Sequence, residues 1–156
     1  MYGYLKAVFK YGVAPLVSIG SMSYCVTEFV VDIVFTTGVS MEPMIQEGDV
    51  FLLDRTCIRK QLLNVGDVVV ARSPERPQDH ICKRVKGLAG DTVSDHRSDS
   101  CLYQYIPRGH VWLEGDNKEF SKDSRDYGPV PCGLILGRLF FRIYPLKHCG
   151  WFPSQN

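Results

Sequence analysis

The residues best suited to chemistry are Lys83 and Ser40. Lys83 is the centre of the run ICKRV at 81–85. In a strand, alternate residues share a face, which groups Ile81, Lys83 and Val85 and turns Cys82, Arg84 and Lys86 to the other side. An ammonium set among apolar neighbours is costly, and burial lowers its pKa. Such an amine can take a proton from a hydroxyl at neutral pH. A lysine that snorkels from a strand end, or pairs with a carboxylate, has no such role. A nucleophile within reach decides between the two readings.

Ser40 is the candidate nucleophile, in the run TGVSMEPM at 37–44. Gly38 permits a bend or a close backbone approach, and Pro43 stiffens the turn beyond the serine. Both suit a serine presented on a rigid loop, although inert loops share them. A G-x-S-x-G elbow needs glycine at 42, where Glu42 stands. His80, His96, His110 and His148 lie in no triad motif. A third polar segment, GDNKEFSKDSRDYGPV at 115–130, is dense in side chains that bond the backbone locally. Its bland reading is an ordinary loop held by an exposed Asp123–Arg125 pair, worth little.

Positioning these residues falls to a β-rich body. Short β-branched or aromatic runs occur at 30–36, 50–54, 68–71, 81–86, 92–94, 110–114 and 134–144, each near turn residues. Gly-Asp recurs at 48–49, 66–67, 90–91 and 115–116. The pattern predicts an antiparallel sheet or barrel, without the helical periodicity of a βαβ protein. Polar stretches at 73–79 and 94–101 read as loops, and 145–156 as a loose tail. The expected organisation is an anchor and lead-in strand over 1–35, a catalytic domain over 36–146, and a tail over 147–156.

The 156 residues suffice for one domain with its own core. Net charge is +1, which removes any electrostatic case for nucleic acid. The six cysteines are scattered without a C-x-x-C pair, so they outline no zinc site and read as mostly reduced fillers. At the N-terminus, Lys6 and Lys10 precede an uncharged stretch from 11 to 27. As a helix, 12–27 spans ~24 Å, short of the roughly 30 Å hydrocarbon core. Extension back through Val8 and Phe9, with Lys10 snorkelling, brings it near a membrane anchor.

Taken in order, SMEP at 40–43, GDVFLLDR at 48–55, GDVVVA at 66–71, KRVKGLAGD at 83–91 and GDNKEFSKDSRDYGPV at 115–130 resemble the type I signal peptidases, the Ser-Lys leader peptidases. The likeness covers 37–144 and is nearest to the family's mitochondrial inner-membrane branch. It implies a mostly β catalytic fold with an N-terminal membrane helix, and a serine endopeptidase working through an acyl-enzyme. Ser40 matches the nucleophile, Lys83 the general base, and Ser121 the serine that orients the lysine. Asp123 and Arg125 match a structural pair, with Arg84 nearby. The Ser40 N–H matches one oxyanion donor. Gly38 and Met41 flank it in the same loop, and Gly38 stands where some relatives carry a donor hydroxyl. The resemblance implies no metal or organic cofactor. It further implies precursor proteins with cleavable presequences as substrates, a second catalytic subunit, and a site facing the intermembrane space. Two rivals are a LexA-like self-cleaving peptidase, which lacks its DNA-binding segment here, and a non-catalytic partner subunit.

Overall fold

The computed structural model describes residues 13–95 and 102–152. Helix α1, Ala14–Phe29, has 16 residues and leads into strand β1, Val31–Phe35. Among the described residues no helix is long and apolar enough to cross a membrane. The earlier part of the expected anchor, 1–12, lies outside them.

The body is antiparallel, as the alternation predicts. Its strands are β2 Val50–Asp54, β3 Val68–Arg72, β4 His80–Gly87, β5 Thr92–Asp95, β6 Leu102–Tyr105, β7 His110–Glu114, β8 Val130–Pro131, β9 Ile135–Tyr144 and β10 Gly150–Trp151. A short helix α2, Thr56–Arg59, follows β2; one sheet runs β1-β2-β9-β3-β4-β7-β8, with β10 on β9, and β5-β6 form a separate hairpin. Register shifts interrupt β2–β9, β3–β9 and β4–β7. Such bulges bend strands and increase twist, so the sheet curls.

Strand β3 shows why the sheet has two cores. Val68 and Val70 enter a cluster with Met41, Ile45, Phe51, Leu53 and Leu139. Val69 and Ala71 face the opposite cluster of Val85, Val111, Leu113, Val130 and Ile135. A strand covered on both faces must be apolar throughout, and VVVA at 68–71 is. Each fully buried residue of this size contributes roughly 1.5–3 kcal/mol.

Strands β6, β8 and β10 escaped the pattern. Strand β6 has Tyr103 and Tyr105 largely exposed, so its alternation marks no core. Ser94, counted both in the 92–94 run and at the start of the 94–101 loop, belongs to β5 and pairs with Tyr103; 96–101 lie outside the described residues. Within the described residues the tail is held in place: Gly150 and Trp151 pair with Arg142 and Phe141. Phe152 then meets Phe51 edge-to-face at 5.1 Å. The two-residue strand β10 depends on β9 being in place and carries no local signal of its own.

Candidate active site

The Ser40 loop leaves β1 and returns to β2 through a closed neck. Thr36 N donates to Asp49 O at 2.9 Å, and Gly48 N to Thr36 O at 2.9 Å. The buried Thr36 hydroxyl lies 3.0 Å and 3.1 Å from the carbonyls of Gln46 and Asp49. Beyond the serine, Met41 and Ile45 sink into the first core cluster and anchor the loop. Gly38 takes φ +90°, a region side chains disfavour, and turns the chain into Ser40. The loop is therefore rigid for the reasons its glycine and apolar residues suggest.

Strand β4 supplies the lysine. Lys83 is 3% exposed, and it lies on the side of β4 that carries Ile81 and Val85. Burial lowers its pKa below 10.5, against a smaller upward pull from the Asp123 charge. Its Nζ donates to Ser121 Oγ at 2.9 Å, and Ser121 Oγ donates to Asp123 Oδ2 at 2.6 Å. Two consequences follow from donor counting. The serine proton is committed to the carboxylate, so Ser121 meets the amine with a lone pair. An uncharged amine bound this way keeps its own lone pair for another proton.

Asp123 holds the relay. It is fully buried and accepts from Gly115 N at 2.9 Å and from the Arg125 guanidinium at 2.8 Å and 2.6 Å. Burial alone would raise its pKa, but these bonds from Arg125, Gly115 and Ser121 bring it down to about 2. It also caps helix α3, Ser124–Tyr127, in a reciprocal box with Asp126. The bland reading of an exposed pair fails, because only 8% of the Arg125 side chain is exposed. Arg84, on the opposite side of β4 from Lys83, is 2% exposed and bidentate to Asp116 at 2.8 Å and 2.6 Å. Asp116 was not among the residues singled out from sequence. Its partner lies 32 positions away, and only the adjacent Gly-Asp signal touches it.

Gly115 sits where the parts meet. A Cβ there would overlap the Ser121 side chain and come within 2.5 Å of Ser40 O. Gly115→Ala is expected to cut activity at least about 100-fold while CD still shows a folded sheet, since ångström-scale displacement of reacting groups has that cost. An alanine variant with parental turnover would mean that the contact yields freely.

Ser40 and Lys83 line one cavity of about 110 Å³ with Thr36, Thr37, Met41 and Ile45. Among the described residues no hydrogen bond joins Lys83 to Ser40; the amine is held by Ser121, with the serine across the cavity. His80 borders the cavity too. Among the described residues its ring bonds neither Ser40 nor a carboxylate, so nothing orients it as a base. The cavity opens into a groove of about 820 Å³ between β1 and β4, sharing Thr36, Thr37, His80, Ile81 and Cys82 with it. No group of His, Cys, Asp or Glu among the described residues could hold a metal ion.

This arrangement can perform nucleophilic attack by a hydroxyl with an uncharged amine as base. The sequence profile described as "Signal peptidase, peptidase S26" matches residues 8–103 and 94–144. The chain is 45% identical over 133 residues to mitochondrial inner membrane protease subunit 1 of Xenopus tropicalis, covering 84% of this chain and 80% of that one. It is 39% identical over 146 residues to the subunit 1 of Schizosaccharomyces pombe, covering 92% of each. Similarity extends to mitochondrial inner membrane protease subunit 2 of Danio rerio, at 39% over 113 residues, 69% of this chain and 61% of that one.

Proposed function

This chain belongs to the signal peptidase, peptidase S26 family, a membrane-bound serine peptidase by that membership, and from this premise we propose that Ser40 and Lys83 are its catalytic dyad. The observation that carries the assignment is the buried Lys83 amine, held by Ser121 in the cavity that Ser40 also lines. Lys83, uncharged, takes the Ser40 proton as Oγ attacks the scissile carbonyl. The Ser40 N–H receives the developing oxyanion. Gly38 offers no side-chain donor, so the Thr37 hydroxyl, in the same cavity, serves as the second. Lys83 then protonates the leaving amine, and later draws a proton from water to release the acyl group. Ser121, Asp123 and Arg125 keep the lysine lone pair aimed. Arg84 fixes the same segment through Asp116, and Met41 anchors the nucleophile loop.

Strand β1 ends the sheet order, so its outer edge is open to an added strand. An extended substrate lies along that edge, in the groove leading to Ser40. The similarity to subunit 1 proteins places the chain at the mitochondrial inner membrane. Its substrates are precursors with cleavable presequences, cut on the intermembrane-space side. Similarity to both subunits 1 and 2 supports work beside a second catalytic subunit. The intact relay argues against a non-catalytic partner.

Cleavage of a presequence peptide tests the dyad. Because burial lowers the Lys83 pKa, kcat/KM rises with pH as the amine deprotonates, with an apparent pKa below 10.5. A flat profile from about pH 6 to pH 9 would remove lysine as the base.

A further inference from the structure

Asn117 reaches the nucleophile loop from outside it. Its backbone N–H donates to Ser40 O at 3.0 Å. Its side-chain Nδ2 donates to Val39 O at 3.1 Å, across 78 positions of chain. Facing a carbonyl oxygen, the carboxamide must present its NH₂ end. The two acceptors belong to the peptide bonds on either side of Ser40.

A trans peptide is planar, and its C=O and N–H point in opposite directions. Pinning the Val39 carbonyl therefore fixes where the Ser40 N–H points. A hydrogen bond on that carbonyl also polarises the same amide and strengthens its N–H as a donor. Among the described residues no group accepts from the Ser40 N–H, so it is left for a ligand. The loop's own turn offers a second hold on Val39 O, from Glu42 N at 3.2 Å. That bond moves with the loop. Asn117 instead refers the peptide plane to β4 and α3, because Asp116 is clamped by Arg84 and Gly115 N by Asp123.

We propose that Asn117 is the positioning residue of the oxyanion hole, locking the peptide planes that flank Ser40. The inference rests on Ser40 being the nucleophile. Asn117 touches no reacting atom; it acts through the backbone amide of its neighbour. The Val39–Asn117 bond is exposed to water, so its removal is expected to cost little stability.

The test is steady-state cleavage of a fluorogenic presequence peptide by the full chain in membranes, comparing the parent with Asn117→Asp and Asn117→Ala. Aspartate keeps the shape and the backbone bond but faces Val39 O with an acceptor. Both variants are expected to lose about 100-fold in kcat, with KM within about threefold. Inhibition by a peptide aldehyde, whose adduct carries the oxyanion, weakens in proportion. The apparent pKa of kcat/KM stays at the parental value, because the Lys83 relay is untouched. A kcat within about threefold of the parent overturns the assignment. So does a loss that shifts the pH profile, or loss of folding in both variants, either of which makes Asn117 merely structural. Ser40→Ala, run alongside, separates the two hypotheses. If it cleaves like the parent, the nucleophile assignment fails. If it is inactive while the Asn117 variants are unimpaired, only the present inference fails.

Discussion

Lys83→Met and Ser40→Ala variants are each expected to fold, to engage the presequence peptide, and to cleave it at least about 10⁴-fold more slowly than the parent. Alanine leaves no oxygen to acylate. Methionine fills the volume left by the lysine stem but can accept no proton. The two losses should not add in the double variant, because nucleophile and base act as one unit. Stability gives an independent reading. Burial depresses the Lys83 pKa, so between its folded and unfolded values the unfolded chain binds more protons than the folded one. The parent therefore gains stability as pH rises towards the ordinary lysine range. Lys83→Met has no such dependence. Its Tm should equal or exceed that of the parent near pH 7, and the advantage should shrink at higher pH. Residual cleavage near the parental rate in either single variant would leave the dyad without support.

The second large effect is expected at Asp123, and it is one of stability as well as rate. Asp123→Asn removes the charge that offsets Arg125, and lets the Ser121 hydroxyl turn to donate to the Lys83 lone pair. Uncoupling a buried pair in this way costs about 3–5 kcal/mol. The pH dependence carries its own sign. The Asp123 pKa falls from 3.8 to about 2 on folding, so its contribution is fully present above about pH 4 and is lost as pH drops towards 2. Over that window it amounts to about 2 kcal/mol. Urea unfolding of parent and variant should therefore converge on acidification below pH 4. A variant within about 1 kcal/mol of the parent at neutral pH would show that Arg125 finds another partner.

Much of this site was legible because β4 alternates. Period two put Lys83 with Ile81 and Val85, and the structure buries that side among apolar residues. The same periodicity underrated Arg84, which is buried on the other side because the 115–116 turn folds over it. Ser40 stood out from its glycine- and proline-flanked loop, while the roles of Ser121 and of the Asp123–Arg125 pair came through resemblance to a family. Local reading alone left the last of these as a surface pair of little worth. Its burial comes from capping α3 and from α3 docking on β7 through Ser124 Oγ and Leu113 N, 2.9 Å apart. Asp116 and Asn117 lay within a quoted motif but received no role of their own, since their partners lie 32 and 78 positions away. Strands β8 and β10, of two residues each, are created by pairing with β7 and β9 and carry no pattern of their own.

The stretch from Gly115 to Arg125 touches the proposed base, the loop of the proposed nucleophile and the helix cap at once. Disorder of the whole stretch, unlike the loss of one side chain in it, would therefore disturb all three at once. Loosening it would not leave a sluggish hydrolase with a wandering amine. It would silence attack, proton transfer and anion capture together. A protease embedded among proteins it must not digest is well served by an all-or-none safety catch of this kind.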